Sequence, residues 1–167
     1  MGLLVRFVRA SDFEGREEWL KPSAVPHGAT RHFRDAEGST SLYRLETADD
    51  LPTLVAAYAL GHPENLKKYD IFLVDEARLS DFTIEITPAQ LPDSEVSGWH
   101  RECAELSGEL LARFAFAFCA HGELARFTLS QVKQLVSHSV RASRIRVDQL
   151  SDGVRRDLTK ALKQTAS

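Results

Sequence analysis

The hydrophobic and polar positions change period several times along the chain, and each change predicts an element. Leu3 to Val8 (LLVRFV) reads as a strand. Asp12 to Leu20 is charged, with Phe13, Trp19 and Leu20 as anchors, and predicts a short helix. Pro22, Pro26 and Gly28 then mark a loop. Thr30 to Arg34 and Ser41 to Glu46 flank Ala36-Glu37-Gly38-Ser39. That pattern predicts a hairpin, with Gly38 supplying a positive φ and Phe33, Tyr43 and Leu45 available to the core. Thr47 to Gly61 (TADDLPTLVAAYALG) carries the clearest helix signal. Thr47 or Asp49 caps it, acidic residues fill its first turn, Pro52 sits early and Gly61 stops it. Its apolar face is Leu51, Leu54, Val55 and Tyr58. A polar loop follows from His62-Pro63 to Tyr69. Asp70 to Asp75 (DIFLVD) is apolar enough for a buried strand, and Phe82 to Ile86 (FTIEI) predicts another, stopped by Pro88.

Trp99 to Gly122 (WHRECAELSGELLARFAFAFCAHG) contains the longest apolar run, Leu110 to Ala120, broken only by Arg113. Phe114, Phe116 and Phe118 alternate as in a strand, but the residues between them are Ala115 and Ala117, and alanine favours helix. Cys103, Leu106, Leu110, Leu111 and Phe114 also follow helical spacing. The prediction is one buried helix from about Trp99 to Ala120, ended by Gly122 as a C′ residue, on which both halves of the chain pack. A strand over Arg113 to Cys119 is the alternative.

Thr128 opens a further helix, in which Thr128 and Gln131 fit a capping box and Leu129, Val132 and Val136 lie on one stripe. Ser137-His138-Ser139 is a predicted break. Arg144 to Leu150 alternates, as a short strand or a helical continuation. Ser151 caps a final helix with Val154, Leu158, Ala161 and Leu162 inward. The expected fold is therefore a single α+β domain over residues 1–167. Its strand-rich acidic half is 1–92, with about five strands and one helix; its helical half is 93–167, basic after 123.

Composition adds one strong observation. The net charge of −3 hides a split: residues 123–167 carry nine Lys/Arg and four Asp/Glu, whereas residues 1–122 carry twelve and twenty. Opposite charge in two parts of a chain suggests a nucleic-acid surface or one part docking on another. With 43% hydrophobic and 27% charged residues the chain reads as an ordinary soluble protein. No apolar run reaches the roughly 18 residues of a membrane helix. No signal-peptide pattern is legible, and two cysteines outside any C-x-x-C give no disulfide framework, so a cytoplasmic protein with reduced thiols is expected.

Several patterns invite a chemical reading. His100 with Cys103 and Cys119 with His121 offer zinc-type ligands. On a continuous helix, however, the two cysteines, sixteen residues apart, stand about 24 Å from one another, too far for one ion. No metal and no cofactor is expected. Ile71 to Ala77 (IFLVDEA) resembles a Walker B strand, which would give Asp75 and Glu76 magnesium and water-polarising roles, but no G-x-x-x-x-G-K-[ST] accompanies it. Asp70, Asp75, Glu76, Asp81 and Glu85 gather around two predicted strands. Asp75, Glu76 and Glu85 would be the catalytic candidates of a small metal-dependent phosphodiesterase. His27, His32, His62, His100, His121 and His138 are scattered, and no nucleophile stands in a G-x-S-x-G context.

Thr128 to Val147 is similar to a helix-turn-helix in its first helix and in Ser139 as a second cap. It departs from that pattern at Lys133, Ser137 and His138. The basic residues Arg141, Arg144, Arg146, Arg155, Arg156, Lys160 and Lys163 can form a surface that meets phosphates. The leading expectation is a non-enzymatic binding or regulatory protein that contacts nucleic acid through these residues. The alternatives are a subunit of a protein assembly, or a homo-oligomer, using the same helices as an interface, and the phosphodiesterase.

Overall fold

The computed structural model describes residues 2–34, 40–61, 66–79, 86–89, 96–103, 106, 108–142 and 150–164, with the backbone alone at 97, 157 and 160–164. The fold is α+β. Six strands, β1 (Leu3–Val8), β2 (Thr40–Leu45), β3 (Tyr69–Asp75), β4 (Ile86–Pro88), β5 (His100–Cys103) and β6 (Glu123–Phe127), form one sheet in the order β4-β5-β2-β1-β3-β6. The helices are α1 (His27–Thr30), α2 (Leu51–Gly61), α3 (Gly108–His121), α4 (Leu129–Arg141) and α5 (Asp152–Gln164). Short 3-10 turns fill much of the chain between β1 and β2. Among the described residues no helix is long and apolar enough to cross a membrane.

The chain divides into two units that interleave in sequence. The first comprises residues 1–48 and 70–125, the second residues 49–69 and 126–167. In the first unit β1 pairs antiparallel with both β2 (Leu3↔Leu45, Val5↔Tyr43) and β3 (Leu3↔Asp75, Phe7↔Ile71). β5 pairs antiparallel with β2 and with β4. Because side chains alternate across a strand, Leu4, Leu42, Phe72, Val74 and Cys103 share one face. They join α3 in a core that includes Phe13, Phe33, Phe114 and Phe118. The rings meet edge-on or tilted, with Phe13–Phe72 centroids 4.9 Å apart and Phe33–Phe118 5.0 Å apart, as ring quadrupoles favour.

The segment between β1 and β2 is laid over this core by α1 and 3-10 turns that pack on α3. Polar ties hold it. Arg6 on β1 donates to the carbonyl oxygens of His32 (2.6 Å) and Ser41. Thr40 Oγ1 donates to the Phe33 carbonyl, and the Ala10 amide donates to the buried carboxylate of Asp70 at 3.1 Å.

In the second unit α4 packs against α2 and α5. Buried Leu51, Leu54, Val55 and Ala59 of α2, Val132 and Val136 of α4, and Val154 and Leu158 of α5 are aliphatic and small. Thr128 caps α4: its hydroxyl accepts from the Gln131 amide while Gln131 Oε1 accepts from the Thr128 amide at 2.8 Å. Ser151 Oγ accepts from the Val154 amide at the start of α5.

Several expectations require correction. Residues 100–103 form β5, so α3 begins at Gly108 rather than near Trp99. Gly108 is thus the first residue of the helix, where glycine costs little. α3 packs within the first unit on the turns of the β1–β2 segment, and α4 and α5 gather with α2 in the second. Thr30 to Arg34 is helical turn, because Ala29 and Phe33, four residues apart, are the pair that must be buried. α4 runs unbroken through Ser137-His138-Ser139, with Ser139 buried. The helix-turn-helix comparison loses its turn there. Gly122 has no positive φ. It is needed instead for close approach: a Cβ there would overlap the Phe118 carbonyl and stand 3.1 Å from the Leu73 carbonyl oxygen. The helix, not the strand, is what Arg113 to Cys119 adopts. The expected hairpin turn at residues 36–39, the 82–85 part of the predicted strand and residues 144–149 lie outside the described residues.

Candidate functional site

The acidic candidates are already engaged in holding the fold. Asp75 closes β3, and its Oδ1 accepts from the Ala77 amide at 2.9 Å, starting the 3-10 turn Glu76–Leu79. Glu76 Oε2 accepts from Arg44 Nε at 2.9 Å, and Arg44 also reaches Glu46 Oε1 at 2.8 Å. The hydrogen bond that Arg44 donates to Glu76, more than any other contact, raises its guanidinium pKa. Glu85 and Asp81 lie outside the described residues. Cys103 and Cys119 are buried in the aromatic core, and burial pushes their thiols up to about 11 and about 12 respectively. Among the described residues no three His, Cys, Asp or Glu side chains gather as a group that could hold a metal ion.

One polar cluster has no trace in the sequence pattern. Asp12 Oδ2 lies 2.7 Å from His32 Nε2 and 3.1 Å from an Arg31 guanidinium nitrogen. The hydrogen bond from His32, then that from Arg31, holds the Asp12 carboxyl below its ordinary value, against a smaller opposing effect of burial. The His32 ring also stacks at a tilt on Phe13, with centroids 5.5 Å apart. A carboxylate that orients a histidine can serve catalysis. Here, among the described residues, the one hydrogen bond of the ring goes to Asp12, and no hydroxyl or thiol completes a relay. The cluster joins two turns of the β1–β2 segment.

The basic candidates fall in the second unit, and the charge split by units matches the split along the chain. The second unit carries eleven Lys/Arg against six Asp/Glu, and the first ten against eighteen. Arg141 ends α4 and is exposed; Arg155 and Arg156 are exposed on α5. An Arg155 guanidinium nitrogen donates to the Leu150 carbonyl at 3.1 Å, and Arg156 Nε to the Asp152 carbonyl at 3.3 Å. Arg155 also stands 3.8 Å from the Asp152 carboxylate. Both side chains are thereby drawn toward the start of α5. Arg144 and Arg146 lie outside the described residues, as do the side chains of Lys160 and Lys163.

α4 differs in kind from the other surfaces. From Leu124 to Val147 the sequence contains no Asp or Glu, while Arg126, Lys133, Arg141, Arg144 and Arg146 fall in that span. A solvated helix ordinarily alternates charge signs along its outer face; α4 has no carboxylate of its own to offset its cations. Three of its thirteen residues, Val132, Val136 and Ser139, are buried, and six are exposed. Its outward side chains are those of Ser130, Gln131, Gln134, His138 and Arg141, with Leu129, 41% exposed, at the first position. Comparison of the chain with protein-family models, with curated proteins and with solved structures finds no match.

Proposed function

We propose that this is a binding or regulatory protein that contacts nucleic-acid phosphates through α4 and α5. The observation that carries the reading is the acid-free span around α4, whose exposed positions face away from its buried stripe and which is flanked by arginines. A polyanion meets no repulsion from the helix itself, and each neutralised phosphate releases a counterion. A protein partner is less well served. Interface centres are rich in aromatic and apolar side chains, whereas the outward face of α4 offers Leu129 as its one large apolar residue. Catalysis by Asp75 and Glu76 would first have to take them from the Ala77 amide and from Arg44.

Fluorescence anisotropy with labelled duplex DNA and labelled RNA at two salt concentrations tests this. The expected result is micromolar or tighter binding that weakens steeply with salt. Replacing Arg141, Arg155 and Arg156 together by alanine weakens binding at least tenfold and flattens the salt slope. Unchanged affinity in that triple variant, or a defined oligomer that binds neither nucleic acid, rules the reading out.

A further inference from the structure

The outward face of α4 is more specialised than phosphate binding requires. At 100° per residue, Ser130, Gln134, His138 and Arg141 fall within about 80° of arc, opposite the buried stripe of Val132, Val136 and Ser139. Along the axis they span about 16 Å at 1.5 Å per residue. A face evolved only for electrostatic capture would carry cations along its length. This one places short and medium polar side chains along its length and a cation, Arg141, at its end. Gln131 stands apart, because its side chain is engaged in the cap with Thr128.

Resting on the phosphate reading above, we infer that α4 is a reading helix: it enters the major groove of duplex DNA and contacts base edges through Ser130, Gln134, His138 and Arg141. The dimensions agree, since a helix with its side chains is about 10–12 Å across and the B-form major groove about 12 Å wide. The chemistry agrees as well. A glutamine amide matches the donor and acceptor of adenine N6 and N7. An arginine matches guanine O6 and N7, and serine accepts or donates to either. Val132 and Val136 hold the helix to the unit while the opposite side is exposed. Arg155 and Arg156 on α5, which packs on α4, are then the phosphate contacts that set its register. Double-stranded RNA does not fit the same geometry, because its major groove is deep and narrow.

Selection from a randomised duplex DNA library, followed by anisotropy on the enriched and a scrambled sequence at one salt concentration, tests the inference. The expected result is an enriched sequence bound at least tenfold tighter than its scramble. In the Gln134→Ala, His138→Ala double variant that ratio falls to near one while the salt slope on scrambled duplex is kept. In Arg155→Ala, Arg156→Ala both sequences weaken together and the slope flattens. All four positions are exposed, and far-UV circular dichroism checks that the helices persist. Salt-dependent binding with no enriched sequence overturns the reading helix and leaves the phosphate reading standing. So does a preference that survives Gln134→Ala, His138→Ala. Absence of binding to any nucleic acid removes both.

Discussion

The first unit is sealed by rings and the second by aliphatic seams. In the first, Phe13, Phe33, Phe72, Phe114 and Phe118 meet between a sheet and α3, and a long irregular segment is tied over them by Arg6, Asp12, Thr40 and Asp70. In the second, helices touch along stripes of valine and leucine, and little beyond the caps of α4 and α5 specifies where they begin. The acidic charge belongs to the ring-cored unit and the basic charge to the seamed one. The difference teaches where this chain spends its sequence. A segment without helical or strand period needs large side chains and specific polar ties to stay in place. A helix on a narrow seam needs few inward residues, which leaves most of its surface for recognition.

Core truncations put the comparison to its hardest trial. Phe118→Ala, at a fully buried ring in contact with Phe33 and Phe114, is expected to cost about 4 kcal/mol. Gly122→Ala forces a methyl group against the Phe118 and Leu73 carbonyls and is expected to cost about 3 kcal/mol, since backbone yields less readily than side chain. Val136→Ala, the matching deletion in the α4 seam, is expected to cost roughly 2 kcal/mol. Urea unfolding of the three variants measures the order, and a Val136→Ala cost above that of Phe118→Ala breaks the contrast. Thr128→Ala removes the α4 cap and is expected to cost about 1 kcal/mol, seen as a lower unfolding midpoint and weaker amide protection in the first turn of α4.

The smallest expected effect concerns the tie at Asp12. Its carboxyl is held below the ordinary 3.8 by His32 and Arg31. The stabilisation from its ionised form is therefore complete above 3.8 and is lost as pH falls through the lower folded value. Wild type should exceed Asp12→Asn in stability by a constant margin at higher pH, and the margin should close as pH falls below 3.8. A margin that instead widens toward low pH would show that the ionised carboxylate is not what the turns rely on.

What was legible in the sequence tracks the same division. α4 and α5 were placed by periodicity and caps and α2 by periodicity, because a helix on a seam writes its inward face every three or four residues; α2 itself begins at Leu51, so Asp49 and Asp50 lie in the 3-10 turn before it and do not fill its first turn. β1 and β3 were legible for a related reason: both are central strands and largely apolar, LLVRFV broken only by Arg6 and DIFLVD apolar between its two aspartates. β5 and β6 were missed. HREC and ELARF are short, and their charged residues break any alternation; they are strands because of what they pair with. The Asp12–His32 contact, twenty residues apart in non-periodic turns, left no local signal at all. At the candidate interface the excess of positive charge was legible. The uninterrupted α4 was not, because three polar residues in a row, Ser137-His138-Ser139, look like a break unless the burial of Ser139 is known.

The interleaved order of the two units has a consequence for how the protein is made. Sixty-seven residues separate the end of α2 from the start of α4, its partner within the unit. At roughly 5–20 residues per second, synthesis leaves α2 waiting about 3 to 13 seconds before α4 exists. During that interval, in which β3 to β6 and α3 are themselves being made, Leu54, Val55 and Ala59 lack the helix that later packs there. The nascent chain thus passes through a stage with an orphan apolar helix, the kind of surface to which chaperones bind.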